Sequence, residues 1–437
     1  MKGSLVVIFT ECIHVTGRSP LIPCFPSSLL APAGFLQLFQ ALGPEFPIPR
    51  NSPLGLGSFI LVMAQDGIWW LLLPFCALSS ASYRGREFLA VFPQNDDESP
   101  SAYLQLLLTS YGPADTQVSV TLRGGSVTRS VTLGPDLTVP LSLPADLELT
   151  GSRTSHKTLV VQASADISVV AVSTKSYTVG ATALLPVESL GTRYYVVTPV
   201  GNYTYGLTEF VVAAGAATTA VSITTTATFH YAGATYVPGA VLCLLLQPYH
   251  SLQLQSSQDF TGTAVVADSP VAVLSGHPCV KVSAGFDFVV EQLLPITAWG
   301  KNYVVPPNPL QTDVDFVYVV TDEDNTITYN TGSRNATVVM AAGEVQSVPG
   351  QYNHAILVAP TTAAANTTLN HQPDNTMAWQ AIPGTDFSWA IITVHATTQS
   401  AENSQVPIGL LVFGFQSQTG YGFPGLCATR FGMQGEV

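Results

Sequence analysis

A pattern of thirteen residues occurs twice in this chain, 109 positions apart. Leu184-Leu185-Pro186-Val187-Glu188-Ser189-Leu190-Gly191-Thr192-Arg193-Tyr194-Tyr195-Val196 returns as Leu293-Leu294-Pro295-Ile296-Thr297-Ala298-Trp299-Gly300-Lys301-Asn302-Tyr303-Val304-Val305. Self-similarity at such a spacing means that one structural unit is built more than once. The flanks repeat as well. Asp166-Ile167-Ser168-Val169-Val170-Ala171-Val172 parallels Asp268-Ser269-Pro270-Val271-Ala272-Val273, and residues 404–414 give a third copy. A further strand opens each repeat: Val118-Ser119-Val120-Thr121, Val221-Ser222-Ile223-Thr224 and Thr326-Ile327-Thr328-Tyr329.

These pieces are runs of Val, Ile, Thr, Tyr and Phe that end in Gly, Pro, Asn or Asp, as strands do. Helical periodicity is almost absent after residue 83, and Gly and Pro recur too often for long helices. Each repeat also divides into halves of about fifty residues with about four strands each, the size of a propeller blade. The expected fold is all-β and repeat-built: a β-propeller-like ring of four-stranded units, with tandem β-sandwiches as the alternative. Apolar residues make up 47% of the 437, enough for a sizeable core, and only 10% are charged against about 25% in an average globular protein.

Residues 1–62 show no sustained period. Met63 then precedes the apolar run Ile68-Trp69-Trp70-Leu71-Leu72-Leu73-Pro74-Phe75-Cys76-Ala77-Leu78 and the small residues Ser79-Ser80-Ala81-Ser82. An apolar core with a small-residue exit is the shape of a signal peptide cut after Ala81 or Ser82. The expectation is an upstream extension over 1–62, a signal-like segment over 63–82 and one β-repeat domain over 83–437. Asp66 and the lack of a basic residue depart from the usual signal pattern; the competing reading is a buried apolar element. The first 82 residues hold three basic and three acidic residues, so the net charge of −13 sits wholly on the remainder. That acidity argues against a nucleic-acid partner, which needs clustered Lys and Arg. No apolar stretch reaches the roughly 20 residues of a membrane-spanning helix.

Cys243, Cys279 and Cys427 follow the expected cut, an odd number that allows one internal disulfide. Cys243, inside Val241-Leu242-Cys243-Leu244-Leu245-Leu246, reads as a small core residue. Cys279 and Cys427 stand beside turn residues, and each is a disulfide candidate or a free thiol. Sequons place candidate glycans on Asn202, Asn335 and Asn366.

The search for reaction chemistry is mostly negative. No His-x3-His or His-Glu-x-x-His pair occurs, so a zinc site is not expected. His277 and Cys279 lack a third metal ligand in sequence, and a turn histidine beside a cysteine is the simpler reading. Asp322-Glu323-Asp324-Asn325 could hold calcium but lacks EF-hand spacing and reads as a solvated turn. There is no Gly-x-Ser-x-Gly elbow and no phosphate loop. Trp299 and Tyr303 look like binding aromatics until their repetition at Leu190 and Tyr194 marks them as core or turn residues. No catalytic, cofactor or metal residue is nominated, and no cofactor is expected. Paired carboxylates are the one hydrolase arrangement that sequence leaves open, because their separation is three-dimensional.

The segment Asp259-Phe260-Thr261-Gly262-Thr263, then Ser269-Pro270-Val271-Ala272-Val273-Leu274-Ser275-Gly276-His277-Pro278-Cys279, then Val289-Val290-Glu291-Gln292-Leu293-Leu294-Pro295, Trp299-Gly300 and Tyr303-Val304-Val305-Pro306 resembles the N-terminal domain of the IgG-Fc-binding protein family. Residues 85–89, 209–217, 246–249 and 252–257 resemble it too. The resemblance implies a secreted, mucosal, non-enzymatic protein that recognises immunoglobulin Fc or mucin-type glycoproteins, with unknown contact residues. An extracellular hydrolase on a propeller and a truncated, non-functional fragment are the rival readings. Three departures from the family matter. Its second Cys before the Val-Val-Glu-Gln segment is replaced at or near Phe286. The stretch from Gly343 to Gly350 looks shortened, as though one blade-sized unit were missing. The family's von Willebrand type D modules do not follow, so their multimerisation and self-cleavage are not carried over.

Overall fold

The computed structural model describes residues 6–10 and, apart from stretches in the connections, 83–424. Regular structure among the described residues is strand and short 3-10 turn, with no α-helix. The all-β expectation therefore holds.

Two units carry the same seven-stranded wiring. The first comprises β1 (Gly85–Ala90), β2 (Tyr103–Ser110), β3 (Thr116–Leu122), β4 (Thr128–Leu133), β5 (Thr138–Leu143), β6 (Leu159–Thr174) and β7 (Val179–Ala183). The second comprises β8 (Gly191–Tyr195), β9 (Thr208–Ala214), β10 (Thr219–Thr224), β11 (Val241–Leu246), β12 (Ser251–Ser256), β13 (Ala264–Val282) and β14 (Gly285–Gln292). The sixth strand of each is long enough to serve two sets of neighbours. The start of β6 pairs with β3 and β1, and its end pairs with β2 and β7. β13 does the same with β10 and β8, then β9 and β14. Both groups thus draw strands from both sequence halves of the repeat, in the orders 4-3-6-1 and 5-2-6-7.

Alternation along the strands fills each unit with its own core. Leu104, Leu106 and Leu108 of β2 meet Phe88, Val120, Leu133, Val161 and Val169 in the first. Phe210, Val212, Ile223, Leu254, Val265 and Val273 do so in the second, where Phe210 meets Phe260 edge to face at 4.9 Å. A third apolar layer joins the units. Leu89, Val91 and Val160, on the opposite face of the first unit's strands, pack with Val211, Ala213, Leu274 and Phe288 of the second. Each fully buried Leu, Val or Phe stabilises the fold by roughly 1.5–3 kcal/mol relative to exposure.

The repeated sequence motif has a mechanical role. Leu-Leu-Pro leads into a 3-10 turn, Val187–Ser189 in one unit and Ile296–Ala298 in the other. The first strand of each unit begins with a glycine and a register shift against the sixth strand, at Gly85 and at Gly191. A methyl on Gly85 would overlap Pro186 and Glu188, and one on Gly191 would overlap Pro295. Each closing turn therefore lies directly on a glycine at the start of its own unit. Trp299 is buried and its indole N–H donates to the Leu294 carbonyl at 3.1 Å, so it is core, as its repetition implied. Tyr303 lies outside the described residues.

Beyond residue 314 the pattern changes. Strand Asp315–Thr321 pairs antiparallel with Val345–Gly350, and Asn325–Asn330 pairs with Asn335–Met340. These match strands two with five and three with four of the closed units. A new set then begins. Ala355–Pro360 pairs with Phe387–Ile392 and Gly409–Gln416, and the latter pairs with Thr419–Pro424, reproducing the order 5-2-6-7. What the sequence presents as one third repeat, opening near residue 326 and closing near 404–414, is divided between two sets of strands.

Candidate functional site

A dense assembly of polar side chains lies where the two closed units meet. It is built from the connections of the first unit and the outer face of the second. The loop after β5 supplies Glu148, whose Oε1 accepts the Asn95 N–H at 2.7 Å and lies 3.1 Å from Lys175 Nζ. Lys175 also donates to the Asn95 carbonyl at 2.6 Å, and Lys157 Nζ donates to the Glu148 carbonyl at 2.7 Å. The Asn95 side chain accepts from Thr178 Oγ1 at 2.7 Å and donates to Ser173 Oγ at 3.1 Å. Burial pushes the Glu148 carboxyl up, against the lowering pull of the Asn95 N–H and Lys175.

The second unit answers with amides and acids. Gln94 sits between Gln253 and Gln255. Its N–H donates to Gln253 Oε1 at 3.2 Å, and its Oε1 accepts from Gln255 Nε2 at 3.1 Å. Gln255 Nε2 also donates to Glu209 Oε2 at 2.8 Å. Glu209 is fully buried, its Oε1 has no hydrogen-bond partner, and burial holds its carboxyl well above the usual range. At the other end, the Val179 N–H donates to Asp287 Oδ1 at 2.9 Å and the Leu185 N–H to Gln292 Oε1 at 3.1 Å. Thr182 Oγ1 donates to Glu291 Oε2 at 3.3 Å, and burial also holds Glu291 well above its usual range. A short strand of the first unit, Arg153–Ser155, extends the second unit's sheet by pairing with β12. Asn95, Glu209, Gln253, Gln255, Asp287 and Gln292 are buried and cannot reach a macromolecular ligand. Their chemistry is positional, because each polar atom buried without a partner costs about 1–3 kcal/mol, and these partners exist only in one docking arrangement.

Sequence nominated none of these residues except within the resembling segments. The signal was an acid or amide inside an apolar alternating run, at Glu209 and at Glu291-Gln292.

Of the residues singled out in sequence, His277 and Cys279 come together. The Cys279 N–H donates to His277 Nδ1 at 3.1 Å, and both residues are buried. Burial pulls the His277 imidazole down to about 4, so the ring is neutral at physiological pH, and Nε2 has no partner. The turn expected here is instead a bulge within β13, between His277 and Val280. Gly276 precedes it because a side chain there would overlap the Val289 carbonyl oxygen. Pro278, which has no N–H to donate, sits in the bulge, where a strand tolerates it. No group of three or more metal-ligating side chains is found among the described residues.

Cys243 corrects the sequence reading. It is exposed and disulfide-bonded, not a core residue. In β11 the side chains of Leu242 and Leu246 turn inward, so Val241, Cys243 and Leu245 turn out. With Val237 they form an apolar strip in which Leu245 is 65% and Val237 54% exposed. Another face lies on the first unit, a shallow depression lined by Gln117, Ser119, Ser130, Gln162 and Ser164 together with Val118 and Ala163. Asn366 is exposed at the end of a 3-10 turn, and Asn335 begins a strand opposite Asn330. Asn202, Cys427, Glu323, Asp324 and the signal-like run lie outside the described residues. No helix among the described residues is long and apolar enough to cross a membrane.

Residues 180–353, which contain the second unit and its closing turn, match the family model described as IgGFc binding protein. The human protein named IgGFc-binding protein is 32% identical over 431 residues, covering 84% of this chain and 8% of that relative. No solved structure matches. The chain is thus a relative of IgGFc-binding protein that carries that family's domain across residues 180–353.

Proposed function

We propose that this chain is a secreted, glycosylated, non-catalytic binding module that recognises immunoglobulin Fc or mucin-type glycoproteins in mucus or at an epithelial surface. The observation that carries this reading is the 32% identity to a protein named for binding IgG Fc, across 84% of the chain. The matched part is a small share of that relative, so the ligand is assigned here to this domain by proposal. The exposed strip of Val237, Val241 and Leu245 lies inside the matched segment and has the apolar character of a protein-interface core. The depression around Ser119 and Gln162 joins hydroxyl and amide groups to the apolar Val118 and Ala163, a mixed lining that suits neutral sugar. The acidity of the chain disfavours polyanionic glycans. Processing after Ala81 or Ser82 and glycans on Asn202, Asn335 and Asn366 complete the proposal. On architecture, strands drawn from both halves of each repeat favour two sandwich-like units over consecutive four-stranded blades, which are built from neighbouring strands.

The test is capture by tagged secreted protein from mucus and from purified immunoglobulin. Recovery of an immunoglobulin or a mucin-type glycoprotein, weakened by Leu245→Asp, is the expected result. Recovery of neither overturns the proposal.

A further inference from the structure

In the two closed units the second strand is flanked on both sides by strands of its own unit. β2 lies between β5 and the end of β6, and β9 lies between β12 and the end of β13. The unit that starts at Asp315–Thr321 does not close this way. Its fifth strand ends at Gly350, and Ala355–Pro360 begins four residues later. That next strand already has both edges taken, by Phe387–Ile392 and by Gly409–Gln416. A sixth strand needs 16 or 19 residues in the closed units, and the chain between 350 and 355 has no room for one. Among the described residues, this unit has no counterpart of strands six and seven between Val345–Gly350 and Ala355–Pro360.

The vacated place is nevertheless filled. Val6–Thr10 lies along Asp315–Thr321 in parallel, from Val6 opposite Val317 to Thr10 opposite Thr321. This segment comes from outside the repeat, and its direction differs from the antiparallel sixth strands it replaces. The receiving strand is itself anchored: Val320 is fully buried and belongs to the core of the second unit together with Trp299. It therefore presents a fixed row of backbone donors and acceptors, the feature by which sheet edges recruit added strands.

We propose that Asp315–Thr321 is a strand-acceptor site that takes an extended segment of β-branched and aromatic residues in place of the missing sixth strand. In the unprocessed chain the occupant is Val6–Thr10. The processed chain, on which this inference rests in part through the cleavage proposed above, has lost that occupant and keeps the acceptor edge for the same segment supplied from outside. Backbone pairing supplies the attachment and the β-branched side chains favour the extended form.

Hydrogen exchange on the secreted protein tests this, with intact mass recorded on the same sample. If the mass shows cleavage near Ala81, the edge amides of 315–321 should exchange rapidly. A peptide of residues 4–11 should then slow them by about tenfold or more, and the same peptide carrying Ile8→Pro should not. Protection at 315–321 without peptide, or no change at saturating peptide while β9 stays protected, overturns the inference. If the mass shows residues 1–62 retained, the cleavage reading fails separately. The acceptor site is then tested in that chain by Ile8→Pro, which should expose 315–321 to exchange; unchanged protection overturns it.

Discussion

The two closed units share a wiring diagram, a glycine-on-turn closure and a bulge at the first strand, yet they differ in what they bury where they meet. The first unit brings a cation, Lys175, matched to Glu148 and to the Asn95 carbonyl. The second brings acids, Glu209 and Glu291, that burial holds toward their protonated forms, and amides that look to the first unit for partners. The difference teaches that repetition fixed the strands and not the seam. One wiring serves two unlike roles, and the shared core layer and seam make the two units a single structural piece.

Removing the cation is the largest way to break that arrangement. Lys175 and Glu148 side chains are only 5% and 11% exposed. Lys175→Met should leave Glu148 buried without its charge partner and destabilise the protein by about 3–5 kcal/mol, measured by denaturant unfolding. A loss below about 1 kcal/mol would place the pair among surface bridges and undo the claim that the seam is sealed. Next comes the backbone contact that only the second unit makes. Strand pairing, unlike the sequence pattern, sets Gly276 level with Val172: Gly276 lies opposite Val290 and Val172 opposite Ala181, partners that stand 109 positions apart, so the first unit tolerates a side chain where the second excludes one. Gly276→Ala should cost about 3 kcal/mol by overpacking and loosen β14 in hydrogen exchange, while Val172→Ala should leave β14 protected.

How much of this was legible in the sequence follows from the same contrast. Strands, repeat length and the core place of Trp299 could be read because alternation and repetition write them locally. The partners of each strand could not. β6 and β13 read as ordinary strands, and nothing in Ala163–Asp166 announces that one strand serves two sets of neighbours. Cys243 was misread because apolar residues on both sides of it hid the alternation of β11. Glu209 and Gln255 were unremarkable alone, since their meaning lies in a partner about fifty residues away and in Gln94 of the other unit.

A smaller effect sharpens the comparison at the first strands. Phe88 of β1 and Tyr194 of β8 occupy equivalent core positions. Only Tyr194 has a hydroxyl, which accepts the Gly191 N–H at 2.8 Å and donates to the Val271 carbonyl at 2.7 Å. Burial pushes that phenol up, so it remains a donor. Tyr194→Phe should cost about 1–2 kcal/mol through two weakened backbone groups, read as a shift in the unfolding midpoint. No shift would mean that the bulge at Gly191 is held by the turn on the glycine alone, as at Gly85.

The smallest effects are in pH, where the second unit contains opposing terms. Glu209 and Glu291 bind protons more tightly folded than unfolded. Above the ordinary carboxyl range the native state then holds more protons than the unfolded chain, so stability falls as pH rises toward their raised values. His277 works the other way. Its ring is pulled from 6.5 to about 4, so the unfolded chain takes up a proton that the native state rejects, and stability is lost as pH falls from 6.5 toward 4. The two effects oppose each other between the ordinary carboxyl value of 4.5 and 6.5, and above 6.5 the carboxyls act alone. Glu209→Gln should therefore flatten the fall in stability above 6.5. His277→Asn, whose Oδ1 can still accept the Cys279 N–H, should leave that fall unchanged and alter the profile only below 6.5. A His277 substitution that also changed the profile above 6.5 would show that the two groups titrate as one, and that the seam and the bulge of β13 are not separate features of the second unit.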